Sequence, residues 1–141
     1  MVFLEREQTA GVKGIGIDIT PIPRIARLID GCDCLRHRPK GDRETLNLLF
    51  TPGEIERCQS ASNPHQFYAV CFATKEAVGK ALGTGLADIG WNEIEANITC
   101  DHLSVHLHGE ASIQAKRRGV STWLATWCHW DNHVLVHVLA Q

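Results

Sequence analysis

FYAVCFATKEAVGKALGTG, Phe67 to Gly85, decides the fold. It spans roughly five helical turns at ~3.6 residues per turn, and Gly83 closes it. Ala69, Val70, Ala73, Ala77, Val78, Ala81 and Leu82 make nearly every side of this helix small or apolar, which predicts a buried element. Within it, Glu76 and Lys80 fall on one stripe, flanked by Phe72 on one side and by Ala69, Ala73 and Ala77 on the other. A carboxylate and an ammonium there are costly to desolvate unless something pairs with them. Taken alone, the stretch leaves two readings open: a plain i,i+4 Glu76–Lys80 pair, or two functional groups facing a cleft.

The surrounding chain is ordinary globular material. Its 141 residues are 44% hydrophobic and 21% charged, enough for one domain with a core. No apolar run approaches the ~20 residues of a membrane span. The start, MVFLEREQTAGVKG, puts charges where a signal peptide needs apolar residues, so a cytoplasmic protein is expected. Six cysteines without a CxxC point to reduced thiols, and Cys32-x-Cys34 is a weak metal or redox signal. A formal charge of −2 argues against a nucleic-acid footprint. Between Arg24 and Arg43, however, six basic residues stand against three acids, a patch suited to an acidic protein partner or to plain solvation.

Residues 1–13 lack a period and read as an N-terminal arm, with the domain running over 14–141. Gly14 to Ile19 alternates strictly, with Ile15, Ile17 and Ile19 on one strand face and Gly14, Gly16 and Asp18 on the other. Asp18 reads either as a group in the space beside the bare glycines or as a turn or N-cap aspartate. Pro23 to Asp30 fits a helix that projects Arg24 and Arg27, and the basic segment to Arg43 fits a long loop. Thr51-Pro52-Gly53-Glu54 is a helix start with Thr51 as N-cap and Glu54 as its capping-box partner. Strand patterns follow over Ile89–Thr99 and Leu103–Leu107, then a helix over Glu110–Arg118, then two strands or one bent strand over Trp123–Leu139. Extended, His129, His133 and His137 share a face, yet adjacent positions on a strand face lie ~6.6 Å apart and these stand at twice that spacing, so they cannot converge on one ion.

GIGIDITPIPRI, LFTPGEIERC, FATKEAVGKALGTGL, WNEIE and the closing GVSTWLATWCHWDNHVLVHVLA together resemble the signature segments of the AcpS-type 4'-phosphopantetheinyl transferases, the holo-acyl-carrier-protein synthases. The resemblance covers roughly Gly14 to Ala140. It implies an α+β fold, the 4'-phosphopantetheinyl transferase fold, with a long helix packed on an antiparallel sheet and homotrimers with active sites between subunits. It implies transfer of phosphopantetheine from coenzyme A to a serine of an acyl carrier protein, with Mg2+ required and adenosine 3',5'-bisphosphate released. By motif position, Asp18 and Glu76 are the metal ligands and Lys80 faces the pyrophosphate. His129 is placed near the nucleotide phosphates, and Arg24 and Arg27 meet the carrier protein.

Elementary chemistry agrees with these implied roles. Mg2+ usually takes one or two carboxylates plus substrate phosphate oxygens, so two acids from distant segments suffice. Glu76 is also the candidate base for the serine proton. The chain departs from the family pattern at Cys71, where arginine is usual, at Thr74, and at Thr126, Cys128 and Trp130 around His129; a G-x-P turn is missing from 101–108. A second reading, a non-catalytic relative that binds carrier protein or coenzyme A, is disfavoured by Asp18, Glu76, Lys80 and His129 standing together.

Overall fold

The computed structural model describes residues 11–31, 41–99 and 102–141. Most of the N-terminal arm, the Cys32-x-Cys34 pair and Arg36, Arg38 and Lys40 of the basic patch lie outside them. A first strand, β1 (Gly14–Pro21), leads into α1 (Ile22–Ile29), followed by α2 (Gly41–Leu49), α3 (Pro52–Gln59) and the long α4 (Pro64–Leu82). A single 3-10 turn (Trp91–Glu93) opens β2 (Ile94–Thr99), then come β3 (His102–Leu107), α5 (Gly109–Arg117), β4 (Trp123–Trp130) and β5 (His133–Ala140). The five strands form one antiparallel sheet in the order β1-β5-β4-β3-β2, with α4 across its inner face. The α+β expectation holds.

α4 is buried as its composition predicts: from Tyr68 to Leu82, every residue except Glu76 and Lys80 is buried. It starts earlier than the apolar pattern shows, because Asn63 caps Gln66 N–H and Pro64 occupies the first turn. Its end is Gly83, whose φ of 76° is the left-handed C-cap that glycine supplies without a Cβ clash. Opposite it, β5 contributes Val134, Val136, Val138 and Ala140, all fully buried.

The alternation of β1 has an unexpected sense. Its isoleucine face points outward, with Ile15, Ile17 and Ile19 about half exposed, and the glycine face lies against α4. A Cβ at Gly14 or Gly16 would run into the carbonyl groups of Ala81 or Ala77. Only bare backbone admits the helix this close, and Asp18, continuing that face, is brought to the side of α4.

Three other boundaries move. The loop expected to run to Arg43 gives way to α2 from Gly41. The strand expected from Ile89 begins at Ile94, because Trp91–Glu93 turn once and Glu93 Oε2 accepts the Gly90 N–H. The last segment is a hairpin: Asp131 and Asn132, with φ of 43° and 59°, make the two-residue turn that matches strand twist. That turn overturns the shared histidine face. Cross-strand pairing puts His129 with buried Val134 on the inner side, whereas His133 and His137 alternate with the buried valines and face outward. Among the described residues no group of three or more His, Cys, Asp or Glu is placed to hold a metal ion.

α3 begins as its sequence predicts. Thr51 Oγ1 accepts the Glu54 N–H and Glu54 Oε1 accepts the Thr51 N–H. The same carboxylate does more than cap. It receives the Lys75 ammonium at 2.6 Å and the Ala96 N–H at 3.0 Å, and both side chains are fully buried. Lys75 Nζ also donates to the Ile94 carbonyl. This ion pair ties α3, α4 and β2 together.

Candidate active site

The glycine face of β1 and the polar stripe of α4 meet at Asp18. Its Oδ2 accepts the Thr20 hydroxyl at 2.6 Å, and its Oδ1 receives Lys80 Nζ at 3.1 Å. Lys80 also donates to the Ile17 carbonyl at 2.8 Å. The lysine therefore reaches across to the strand, and the i,i+4 bridge to Glu76 is not its partner. Nor does Asp18 cap α1, whose N-cap is Pro21 with no side-chain bond. An ammonium has three N–H donors, and two are engaged here, leaving the third for a ligand on the half-exposed side.

Glu76 lies one turn before Lys80 on the same stripe. Burial pushes its carboxyl above the usual carboxylate range, and the Asp18 charge adds to that, against the opposing pull of Lys80 and Arg24. Two acidic side chains thus sit in one field with insufficient positive charge. Their hard oxygen donors suit Mg2+, whose charge would relieve the repulsion. The raised value also fixes a sign for stability. A carboxyl raised in the fold favours folding below the ordinary glutamate pKa of about 4.3 and loses that contribution as pH rises through the raised value. Glu76→Gln, neutral throughout, is therefore expected to melt no lower than the unsubstituted protein at neutral pH in chelator. The gain is small, because the side chain is partly exposed, and it vanishes below the ordinary glutamate range, as followed by thermal melts. A lower melting temperature at neutral pH contradicts this.

The remaining expected residues are distributed as follows. His129 is exposed on the inner side of β4; its pair Val134 also pairs with Thr20, so it stands two strands, roughly 10 Å, from Thr20 on the same face. Its ring neighbours Trp127, with centroids 6.1 Å apart. Arg24 and Arg27 are both exposed on α1. The Arg24 guanidinium lies 5.6 Å over the Phe72 ring, which stacks on Trp91 at 4.8 Å.

The departures sort by face. Cys71 is buried against Cys58, with sulfurs 3.8 Å apart, so position 71 looks into the core beneath α3 and away from Asp18. Thr74 returns its hydroxyl to the Val70 carbonyl. Thr126, Cys128 and Trp130 are exposed on the outer side of β4, opposite His129. Composition and spacing pass over the Lys75–Glu54 pair. Its signal was available: a lysine on the stripe of Val78 and Leu82 of a buried helix requires a buried acid.

An antiparallel sheet crossed by one buried helix thus carries two carboxylates and a lysine where that helix meets β1. The model of the 4'-phosphopantetheinyl transferase superfamily matches residues 14–135, and the chain belongs to that family, in its AcpS-type branch. The holo-[acyl-carrier-protein] synthase of Koribacter versatilis is 41% identical over 132 residues, covering 92% of this chain and 98% of that protein. The holo-[acyl-carrier-protein] synthase (AcpS) of Neisseria meningitidis has the same fold, with a TM-score of 0.77 at 26% identity over 93% of this chain and 99% of its own. So does the Helicobacter pylori enzyme, solved in complex with coenzyme A, with a TM-score of 0.69 at 23% identity over 90% and 99%.

Proposed function

We propose that this chain transfers the 4'-phosphopantetheine group of coenzyme A to a serine of an apo acyl carrier protein, with Mg2+, releasing adenosine 3',5'-bisphosphate. The observation that carries the reading is the junction of β1 and α4, where Lys80 is held by Asp18 and Ile17 O with Glu76 in the same field. Asp18 and Glu76 would hold the ion, which supplies charge neutralisation at the phosphate oxygens. Lys80 keeps one N–H for the pyrophosphate, its position fixed by its two contacts on β1. Glu76 is also the candidate to accept the serine proton. His129, exposed on the same face, serves the nucleotide phosphates in this reading.

The carrier protein docks on α1 through Arg24 and Arg27, acidic partner against basic helix. Arg27 is the cleaner probe, because Arg24 also covers Phe72. Arg27→Glu is expected to raise KM for the carrier protein about tenfold, with coenzyme A affinity changed less than twofold. Equal weakening of both, by steady-state kinetics and calorimetry, rejects the docking role.

Ile15, Ile17, Ile19, Leu124 and Trp130 leave the outer sheet face apolar and open, each 43–57% exposed. In this reading other copies of the chain cover it in a homotrimer. Residues 14–141 act as one unit behind the 1–13 arm, and the free thiols of Cys58, Cys71 and Cys128 accord with a cytoplasmic setting. Among the described residues no helix is long and apolar enough to cross a membrane. Chromatographic detection of adenosine 3',5'-bisphosphate, formed from coenzyme A only when Mg2+ and apo carrier protein are both present, tests the reading. Release without carrier protein contradicts it.

A further inference from the structure

Cys58, in the last turn of α3, meets Cys71 of α4 with the sulfurs 3.8 Å apart, and both are buried free thiols. A disulfide holds its sulfurs at about 2.05 Å, so the pair is in contact but open. A third polar group lies beside it. Tyr68 stands one helical turn before Cys71, and its hydroxyl is buried without a hydrogen-bond partner. Burial pushes this phenol up to about 12; Cys58 and then Cys71 add to that, and only the nearby Gln59 side chain opposes. Buried polar atoms are seldom left unpaired. Here a hydroxyl that keeps its proton at any physiological pH is aimed among two thiols with nothing to donate to. Access comes from one side. Cys58 is followed by exposed Gln59, Ser60, Ser62 and Asn63, so local opening at the end of the short α3 admits a small neutral molecule.

We propose that Cys58 and Cys71 are a site of reversible oxidation by hydrogen peroxide, closing to a disulfide that locks α3 onto α4, with Tyr68 donating a hydrogen bond to the reacting oxygen. The site is independent of the transferase reading. In the first step the Cys58 sulfur gives two electrons to one peroxide oxygen. An S–O bond forms, the O–O bond breaks, and the other oxygen leaves as water with the Cys58 proton. In the second, the Cys71 sulfur displaces the sulfenic oxygen. The S–S bond forms, the S–O bond breaks, and a second water carries off the Cys71 proton. This order follows from Cys71, whose thiol is held well above its ordinary range by its contact with the Cys58 sulfur first and by burial second. A small dithiol reverses the bond by exchange and leaves as its own disulfide. The Glu54–Lys75 ion pair already ties the same two helices and holds the sulfurs in register.

Reduced protein is desalted and treated with hydrogen peroxide, its remaining thiols are alkylated in denaturant, and its peptides are mapped by mass. The expected product is a Cys58–Cys71 cross-link lacking both thiol hydrogens, with Tm raised by about 5 °C or more and restored by dithiothreitol. Cys71→Ala is expected to show no peroxide-dependent rise. Tyr68→Phe, which removes the unpaired hydroxyl, is expected to melt no lower in reductant and to close about tenfold more slowly. Alkylated Cys58 and Cys71 after exposed Cys128 has been oxidised overturn the site, as does a cross-link formed only in denaturant. A cross-link that leaves Tm unchanged or lower overturns the lock. Closure of Tyr68→Phe at the unsubstituted rate overturns the role of the phenol.

Discussion

Replacing Lys75 by methionine is expected to destabilise the protein by ~3–5 kcal/mol, the cost of leaving a buried charge without its partner. For a chain of this length that is a fall in melting temperature of roughly 10 °C. Glu54 and Lys75 are both fully buried and 2.6 Å apart, so no solvent screens the carboxylate once the ammonium is gone. The Thr51 and Ala96 N–H groups would still donate to it, and they compensate only part of the charge. The double substitution Glu54→Gln with Lys75→Met removes both charges and is expected to recover about half the loss, since the coupling between adjacent groups is then absent from both states. Urea denaturation of the single and double variants measures this. A loss below ~1 kcal/mol for Lys75→Met would mean that the pair is hydrated and does not organise the core.

Glu76→Gln is expected to lower kcat for phosphopantetheine transfer by ~10³-fold or more while leaving the fold at least as stable. The two effects have one origin. An ionised Glu76 beside Asp18 is unfavourable, burial first and the neighbouring charge second, and that unfavourable field is what a divalent ion would relieve. Glutamine keeps the shape and loses both the charge for the ion and the capacity to take the serine proton. The substitution thereby separates function from packing. Calorimetric titration with Mg2+ and coenzyme A is expected to show weakened magnesium-dependent binding in the variant. Turnover within tenfold of the unsubstituted enzyme would remove Glu76 from the reaction.

The bare Gly14 and Gly16 read as space beside Asp18, and the close approach of α4 that fills this space, at Ala77 and Ala81, emerges only in the fold. The direction of that contact was less plain: isoleucines ordinarily face inward, and here α4 takes the glycine side. Thr51 and Glu54 carry their cap in a four-residue window, so the N-terminus of α3 was readable. The second duty of Glu54 depends on Lys75, far along the chain, and no local pattern records it. The hairpin at Asp131–Asn132 shows the same limit on a smaller scale. Two positive-φ residues reverse the chain and send His129 and His133 to opposite faces, which an extended reading cannot show. Asp18, Glu76 and Lys80 were legible as charges needing partners, but the Lys80–Asp18 contact emerged only once β1 lay on α4.

In the proposed reaction the Asp18, Glu76 and Lys80 cluster moves phosphopantetheine onto a carrier protein. Intact-protein mass spectrometry of apo acyl carrier protein, incubated with this enzyme, coenzyme A and Mg2+, tests it most directly. The expected product carries the mass of one added phosphopantetheine per carrier protein, on its serine, and none forms when chelator replaces Mg2+ or when Glu76→Gln replaces the enzyme. An unmodified carrier protein across several acidic acyl carrier proteins, or full modification in chelator, would contradict it.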